Sequence, residues 1–391
     1  MNKYKTLLVV GLGLIVVLLA SRFGFNFQEK SASGQAGVIE NLPVGVEEGN
    51  FARAEAPIPF EFPKDHGAHN DFQTEWWYYT GNLATESGRR FGYQLTFFRR
   101  AVVPPEMRIN RASDWSVEQV YLAHFALTDV QNGQFYASEK IGRGAAGLAG
   151  AVGEPAYQVW LDEWEVVQVG ENEYRMRAKT EQVAIELKLK NLKGEILQGD
   201  RGYSRKGEEV GNASYYISQT RLKTLGKITV LGIDYEVSGL SWMDHEFSTS
   251  ALGEDQVGWD WFSLQLDNNT EMMLFTLRKE DGSIDRFSSA TLISMDGTTQ
   301  TFDVDQFTVE VREQWQSPKT GAVYPSRWQI SIPEADIFLD IRPLIADQEL
   351  VVSYVYWEGA VVAQGKMGER MVSGYGYVEL TGYAQSMRGR F

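Results

Sequence analysis

From about residue 57 onward, apolar and polar side chains alternate with a period of two. The clearest runs are Phe91-Gly92-Tyr93-Gln94-Leu95-Thr96-Phe97-Phe98-Arg99 and Val183-Ala184-Ile185-Glu186-Leu187-Lys188-Leu189-Lys190. Successive side chains of an extended chain point to opposite faces, so this period predicts strands with one buried face. Asn132-Gly133, Asp281-Gly282 and Asp296-Gly297 separate such runs, and these dipeptides suit tight hairpin turns. Trp261–Leu266 and Met272–Arg278, joined through Asp267-Asn268-Asn269, read as one hairpin. Val351–Trp357 and Ala360–Gln364, joined through Glu358-Gly359, read as another. No long window here follows the helical period. Many short strands at regular spacing predict an all-β chain. Roughly 330 residues exceed one small barrel. The expectation is therefore two consecutive antiparallel β-barrel domains, residues 57–240 and 241–391.

The first 56 residues follow another pattern. Lys3 and Lys5 precede the uncharged, apolar run Thr6–Ala20. A positive start followed by such a run predicts a signal peptide or uncleaved signal anchor over residues 1–25, with residues 6–25 as the membrane tether. The lysines mark the cytoplasmic side. The remainder is thus expected outside the cytoplasmic membrane, in the periplasm or at the cell surface. Residues 26–56, rich in Gly and Glu and with little periodicity, read as a flexible tether.

Composition narrows the chemistry. The 37 Lys+Arg against 52 Asp+Glu give a net charge of −15, and no long basic run occurs, which argues against nucleic acid as a partner. The chain has no Cys, which excludes disulfides, thiolate nucleophiles and Cys-ligated metals. The 11 Trp, 18 Tyr and 20 Phe imply a thick β core or an aromatic cavity for a lipophilic small molecule. No nucleophile elbow, metalloprotease motif or nucleotide loop is present. His66, His69 and His245 have ligand chemistry, but their spacing does not demand a metal, and neither metal nor cofactor is expected.

Polar chemistry concentrates in two segments. Asp65–Gly81 holds His66 and His69 beside Glu75, Trp76, Trp77, Tyr78 and Tyr79. On a strand Glu75, Trp77 and Tyr79 share one face, where burial would favour the acid form of Glu75; an Arg partner within a core is the plainer alternative. Ser241–Ser248 holds Asp244 and His245, and Trp259-Asp260-Trp261 follows. Asp260 alternates in step with Phe262, Leu264 and Leu266, which puts it inside a barrel, and a buried Asp needs a partner. His245 is the expected partner, forming either a proton-transfer pair or a structural clasp. His124, on the apolar run Val120–Thr128, is a further candidate for the ligand site.

Taken together, His66–Leu83, Phe91–Arg99, Ser241–Phe247, Gly258–Leu266 and Gly376–Tyr383 resemble the carotenoid 1,2-hydratase family, also called hydroxyneurosporene synthase or AttH-like. Some of its members are known only as predicted secreted hydrolases, the branch that an export signal would suit. The resemblance implies two tandem lipocalin-like β-barrels with an apolar ligand site in or between them. It also implies cofactor-free acid–base chemistry, hydration or hydrolysis, on an isoprenoid-like or ester substrate. The expected machinery is Asp260 or Asp244 as acid, His245 as its partner, and Trp259 and Trp261 as the wall. Glu75 with His66 or His69 is the second choice, and Trp77, Tyr79 and His124 are further ligand contacts. The rival expectation is a non-catalytic lipocalin-like carrier of an apolar molecule, with an ABC exporter as its partner.

Overall fold

The computed structural model describes residues 51–108, 118–250 and 252–388. The signal or anchor expected at residues 1–25 lies outside them, as does the tether up to residue 50. Residues 51–56, assigned to the tether, instead pack on the body. Phe51 and Ala54 are buried, and Ala54 bridges to Gly211.

Alternation in sequence becomes alternation in burial. In the strand Val183–Asn191, Val183, Ile185, Leu187 and Leu189 are buried while Glu186, Lys188 and Lys190 face water. Among the described residues all regular structure is strand, apart from single-turn 3₁₀ segments at Lys64–His66, Pro105–Met107 and Pro333–Ala335. Strands between Thr74 and Ser248 form a 13-stranded sheet, and strands between Gln256 and Leu380 a 10-stranded one. Both are antiparallel and each curls around its own core. In the first, Gln158–Leu161 packs back against Arg90–Ala101 and Gln119–Asp129, enclosing Trp77, Tyr93, Phe125 and Trp164. The second encloses Phe262, Trp328, Ile330 and Trp357. This is the all-β architecture of two barrel-like sheets that the period-two pattern predicts. The chain crosses from one sheet to the other between Ser248 and Gln256. Ser241–Ser248, placed by sequence at the start of the second domain, is the end of a continuous 16-residue strand of the first sheet.

The outer faces of the two sheets pack together. Thr74–Ala84 lies against Arg370–Leu380, and Arg90–Ala101 against Val355–Met367. Between them Tyr78, Tyr216, Trp242, Trp261, Phe275 and Tyr377 form a buried aromatic layer. Each such ring contributes on the order of 1.5–3 kcal/mol by leaving water. Gly92 allows the close approach: a Cβ there would stand 2.5 Å from Ala360 Cβ. Polar ties cross the same plane. Asn82 Nδ2 donates to the Gly376 carbonyl at 2.8 Å, and Thr128 Oγ1 to Gln348 Oε1 at 2.7 Å.

Candidate functional site

Strand parity decides which side chains reach the junction. Along Ile233–Ser248, His245 and Phe247 point into the first barrel, so Asp244, Glu246 and Ser248 point out of it. Trp76 and Tyr78 leave Thr74–Ala84 in the same direction. From the second sheet come Trp259 and Trp261, cross-strand from Leu277 and Phe275, and Glu379, opposite Trp261. These side chains line a cavity of about 760 Å³, its mouth included.

Two acids on this wall are held by fixed donors. Asp244 Oδ2 accepts from Tyr216 OH at 2.6 Å; its Oδ1 accepts from Ser218 Oγ at 2.6 Å and Trp242 Nε1 at 2.7 Å. Trp261 Nε1 in turn donates to Tyr216 OH at 2.9 Å. Burial pushes the Asp244 carboxyl up to about 7, against the pull of these three hydrogen bonds. Glu379 Oε2 accepts from Trp259 Nε1 at 2.8 Å. Burial, joined by the nearby charges of Glu246 and Asp244, pushes Glu379 up to about 7 as well. Deeper in the junction, burial and Glu379 hold Glu358 well above the carboxylate range, and Tyr78 OH donates to it at 2.8 Å. The arrangement can deliver a proton at neutral pH into a cavity walled by aromatic faces.

A second cluster lies inside the first barrel. Glu75 Oε1 lies 2.8 Å from both His69 Nδ1 and His245 Nε2, while its Oε2 accepts from Arg99 Nε at 2.8 Å and from the His69 amide at 2.9 Å. Burial alone would raise Glu75, but Arg99 and the two imidazoles hold it well below the usual carboxylate range. Burial lowers His245 to about 4, so its ring is neutral. His69 feels the same burial, yet Asp65 and Glu75 raise it to about 9. Donor atoms of His69, Glu75 and His245 lie within 4.8 Å of one another, a set with metal-ligand chemistry. The buried Arg99 guanidinium and the protonated His69 already supply counter-charge to this carboxylate and oppose a metal cation.

Asp260 and His245 are not partners. Asp260 is inside a barrel, as its alternation requires, but inside the second one. It binds Arg278 Nε at 2.8 Å and Tyr383 OH at 2.9 Å, and burial keeps it above its ordinary range despite them. His245 is inside the first barrel, stacked on Trp77 with ring centroids 4.9 Å apart. Two sheets separate them, so closeness in sequence is no guide. Trp77 and Tyr79 are core rather than cavity: Trp77 Nε1 donates to the His66 carbonyl, and the Tyr79 and Tyr157 hydroxyls lie 2.8 Å apart. His66 sits 3.3 Å from Glu195, apart from Glu75. His124 ties the sheets together, with Nδ1 2.6 Å from Tyr356 OH and Nε2 3.0 Å from Glu139. Asp244, Trp259 and Trp261 are the candidates that line the cavity.

Glu379, Tyr216, Glu246 and Lys206 escaped the sequence reading. Glu379 had a signal: in Gly374–Leu380 it alternates with Tyr375 and Tyr377, opposite the apolar pair Val378 and Leu380. Lys206 and Tyr216 carry no local mark.

A family model described as AttH-like matches residues 53–383. A crystal structure of an AttH-type protein from Nitrosomonas europaea is 36% identical and superposes with a TM-score of 0.76, covering 85% of this chain and 100% of that one. Kievitone hydratase from Nectria haematococca shares the fold, at 16% identity and a TM-score of 0.64, over 86% of this chain and 97% of that one. No functionally curated protein matches the sequence.

Proposed function

The chain belongs to the AttH-like family, and on that premise we propose that it is a hydratase-like enzyme acting on a lipophilic, isoprenoid-like alkene in the junction cavity. The observation that carries this reading is the pair of acids titrating near neutrality, Asp244 and Glu379, on an aromatic-walled cavity. Kievitone hydratase is an instance of the same fold in a protein named for hydration.

In the proposed reaction Asp244 gives its proton to one alkene carbon. The π electrons form the new C–H bond and leave a tertiary cation. The faces of Trp76, Trp259 and Trp261 stabilise that cation. The donors Tyr216, Ser218 and Trp242 stabilise the Asp244 carboxylate as it forms. Water then bonds to the cation, and Glu379 accepts its surplus proton. Exchange through solvent returns the proton to Asp244.

The test is incubation of the full chain with lipid extracts in heavy-oxygen water. Mass spectrometry should find products heavier by one labelled water. Tight retention of a lipid without any product would support a carrier instead, and release of an acid and an alcohol would indicate ester hydrolysis. Because one acid must be protonated and the other ionised, turnover should peak near pH 7 and fall on both sides. A rate unchanged between about pH 5 and 9 would remove both acids from the mechanism.

We propose an extracytoplasmic location on the strength of Lys3, Lys5 and Thr6–Ala20. A reporter active only in the cytoplasm, fused to the C-terminus, should be silent in intact cells; high activity would refute this location.

A further inference from the structure

Glu246 and Lys206 line the cavity together, and the reaction proposed above uses neither. Both are buried, and they form an ion pair at 3.1 Å. The Lys206 ammonium also stands over two rings, 4.3 Å from the Phe275 centroid and 5.1 Å from that of Tyr216. The cavity thus already houses one organic cation, the chain's own, between a carboxylate and aromatic faces. Proteins bind ammonium groups by this combination. Lys206 takes up only part of it. The ion pair is made through Glu246 Oε1, and Ser214 gives its hydroxyl to the same oxygen. Oε2 accepts no hydrogen bond among the described residues and is not sealed from the cavity. Glu379 is alike: Trp259 binds its Oε2, and its Oε1 stays open. Asp244 differs, because Tyr216, Ser218 and Trp242 engage both its oxygens. Two carboxyl groups therefore present a free oxygen to the cavity, against one ammonium that already has its partners.

Strand parity sets Glu246 beside the reacting atoms. It follows Asp244 by two residues on one face of Ile233–Ser248. At about 3.3 Å per residue the two lie roughly 7 Å apart along the strand. Trp76, whose Cα pairs with that of Glu246, brings its ring to the same wall. Positive charge formed when Asp244 gives up its proton would arise next to a carboxylate that Lys206 and Ser214 hold in place. A charge fixed in advance needs no reorganisation as the cation develops. We infer that Glu246 is a further catalytic residue, holding positive charge in the cavity through Oε2, and that the site takes a lipophilic ammonium in preference to a neutral or anionic molecule of the same shape. This rests on the reading of the cavity as the substrate site.

The experiment uses the full chain and three probes of one carbon skeleton at neutral pH: the cationic farnesylamine, the neutral farnesol and the anionic farnesoic acid. Binding is read by calorimetry. Farnesylamine should bind about tenfold more tightly than farnesol, the worth of one desolvated cation contact, and farnesoic acid should bind more weakly than either. Glu246→Gln leaves the Lys206 ammonium without its counter-charge, so it should reverse the order. Farnesoic acid should gain, farnesylamine should fall to farnesol or below, and farnesol should stay within about twofold. A residue that only supports the fold would weaken all three probes together. Lys206→Met removes the competing ammonium and should tighten farnesylamine, which keeps the test open if Glu246→Gln does not fold. Equal binding of farnesylamine and farnesol by the wild type, an unchanged order in Glu246→Gln, or weaker farnesylamine in Lys206→Met would overturn the inference, while farnesol binding keeps the cavity reading. Absence of binding by all three probes would overturn both.

Discussion

Asp244→Asn should lower turnover by about 10²–10⁴-fold, the usual worth of a general acid, while giving a protein more resistant to heat than the wild type above pH 7. The two effects share one cause. Burial raises Asp244 from an ordinary 3.8 to about 7, so the fold holds a proton that the unfolded chain releases. For a carboxyl raised in the fold, stability is greatest below the unfolded value and declines as pH rises toward the folded one. Over that window the loss is on the order of 2–4 kcal/mol. Asn cannot ionise and so escapes it. It also keeps the geometry, because its carbonyl oxygen can accept from Ser218 and Trp242 while its amide donates to the Tyr216 oxygen. Thermal melts of both proteins at about pH 4 and 8 check this: the stability curves should meet at the acid end and separate at the alkaline end. A variant that melts below the wild type at pH 8 would make Asp244 a structural residue. Glu379→Gln should show the same crossover with its own loss of turnover. A site whose chemistry costs stability is what a functional acid predicts and a structural clasp does not.

The strands, their alternation and the division into two curled sheets were legible because a period of two is a local property of the chain. The aromatic pair Trp259 and Trp261 enters through the family resemblance and not through the period. Alternation also held the information that separates Asp244 from His245 and Trp261 from Asp260, since each pair sits on adjacent residues and hence on opposite faces. What alternation cannot say is which of two barrels a face closes upon. Asp260 reads as interior, correctly, but it is interior to the second sheet, whereas His245, its expected partner, is interior to the first. The cavity belongs to neither interior: it forms where two outer faces meet, and outer faces normally read as solvent. Glu379 and Tyr216 come from strands far from Asp244 in sequence, and pairing across such distances is set by the whole topology. The boundary at residue 240 failed for a related reason, because Ile233–Ser248 continues straight through it as one strand.

Glu75→Ala should be the most damaging single change to the fold, costing about 3–5 kcal/mol or preventing folding at 37 °C. Glu75 and Arg99 are both fully buried, and the carboxylate also carries His69, His245 and the His69 backbone amide. Removing it leaves a guanidinium in the barrel without its counter-charge, and the segment before Thr74 loses its anchor to the strands. Glu75→Gln keeps the shape and separates charge from packing. In the wild type the cluster loses stability at both ends of the pH range. Glu75 is depressed, so its contribution is present above its ordinary value and lost as pH falls below it. His245, depressed from 6.5 to about 4, adds a loss over that interval as the unfolded chain takes up a proton the fold refuses. His69 is raised, so its contribution is complete below 6.5 and disappears as pH rises through about 9. Wild-type stability from this cluster should therefore be largest near pH 6.5, and Glu75→Gln should shorten the alkaline limb, leaving His69 raised by Asp65 alone. Chemical denaturation across pH, with an isoprenoid alcohol such as farnesol bound and unbound, checks the assignment. Because Glu75 faces the first barrel and not the junction, a soluble Glu75→Gln should bind that alcohol as a probe with affinity close to the wild type. Loss of probe binding in a variant that still melts cooperatively would place this cluster in the ligand site and not in the scaffold that holds Asp244 in position.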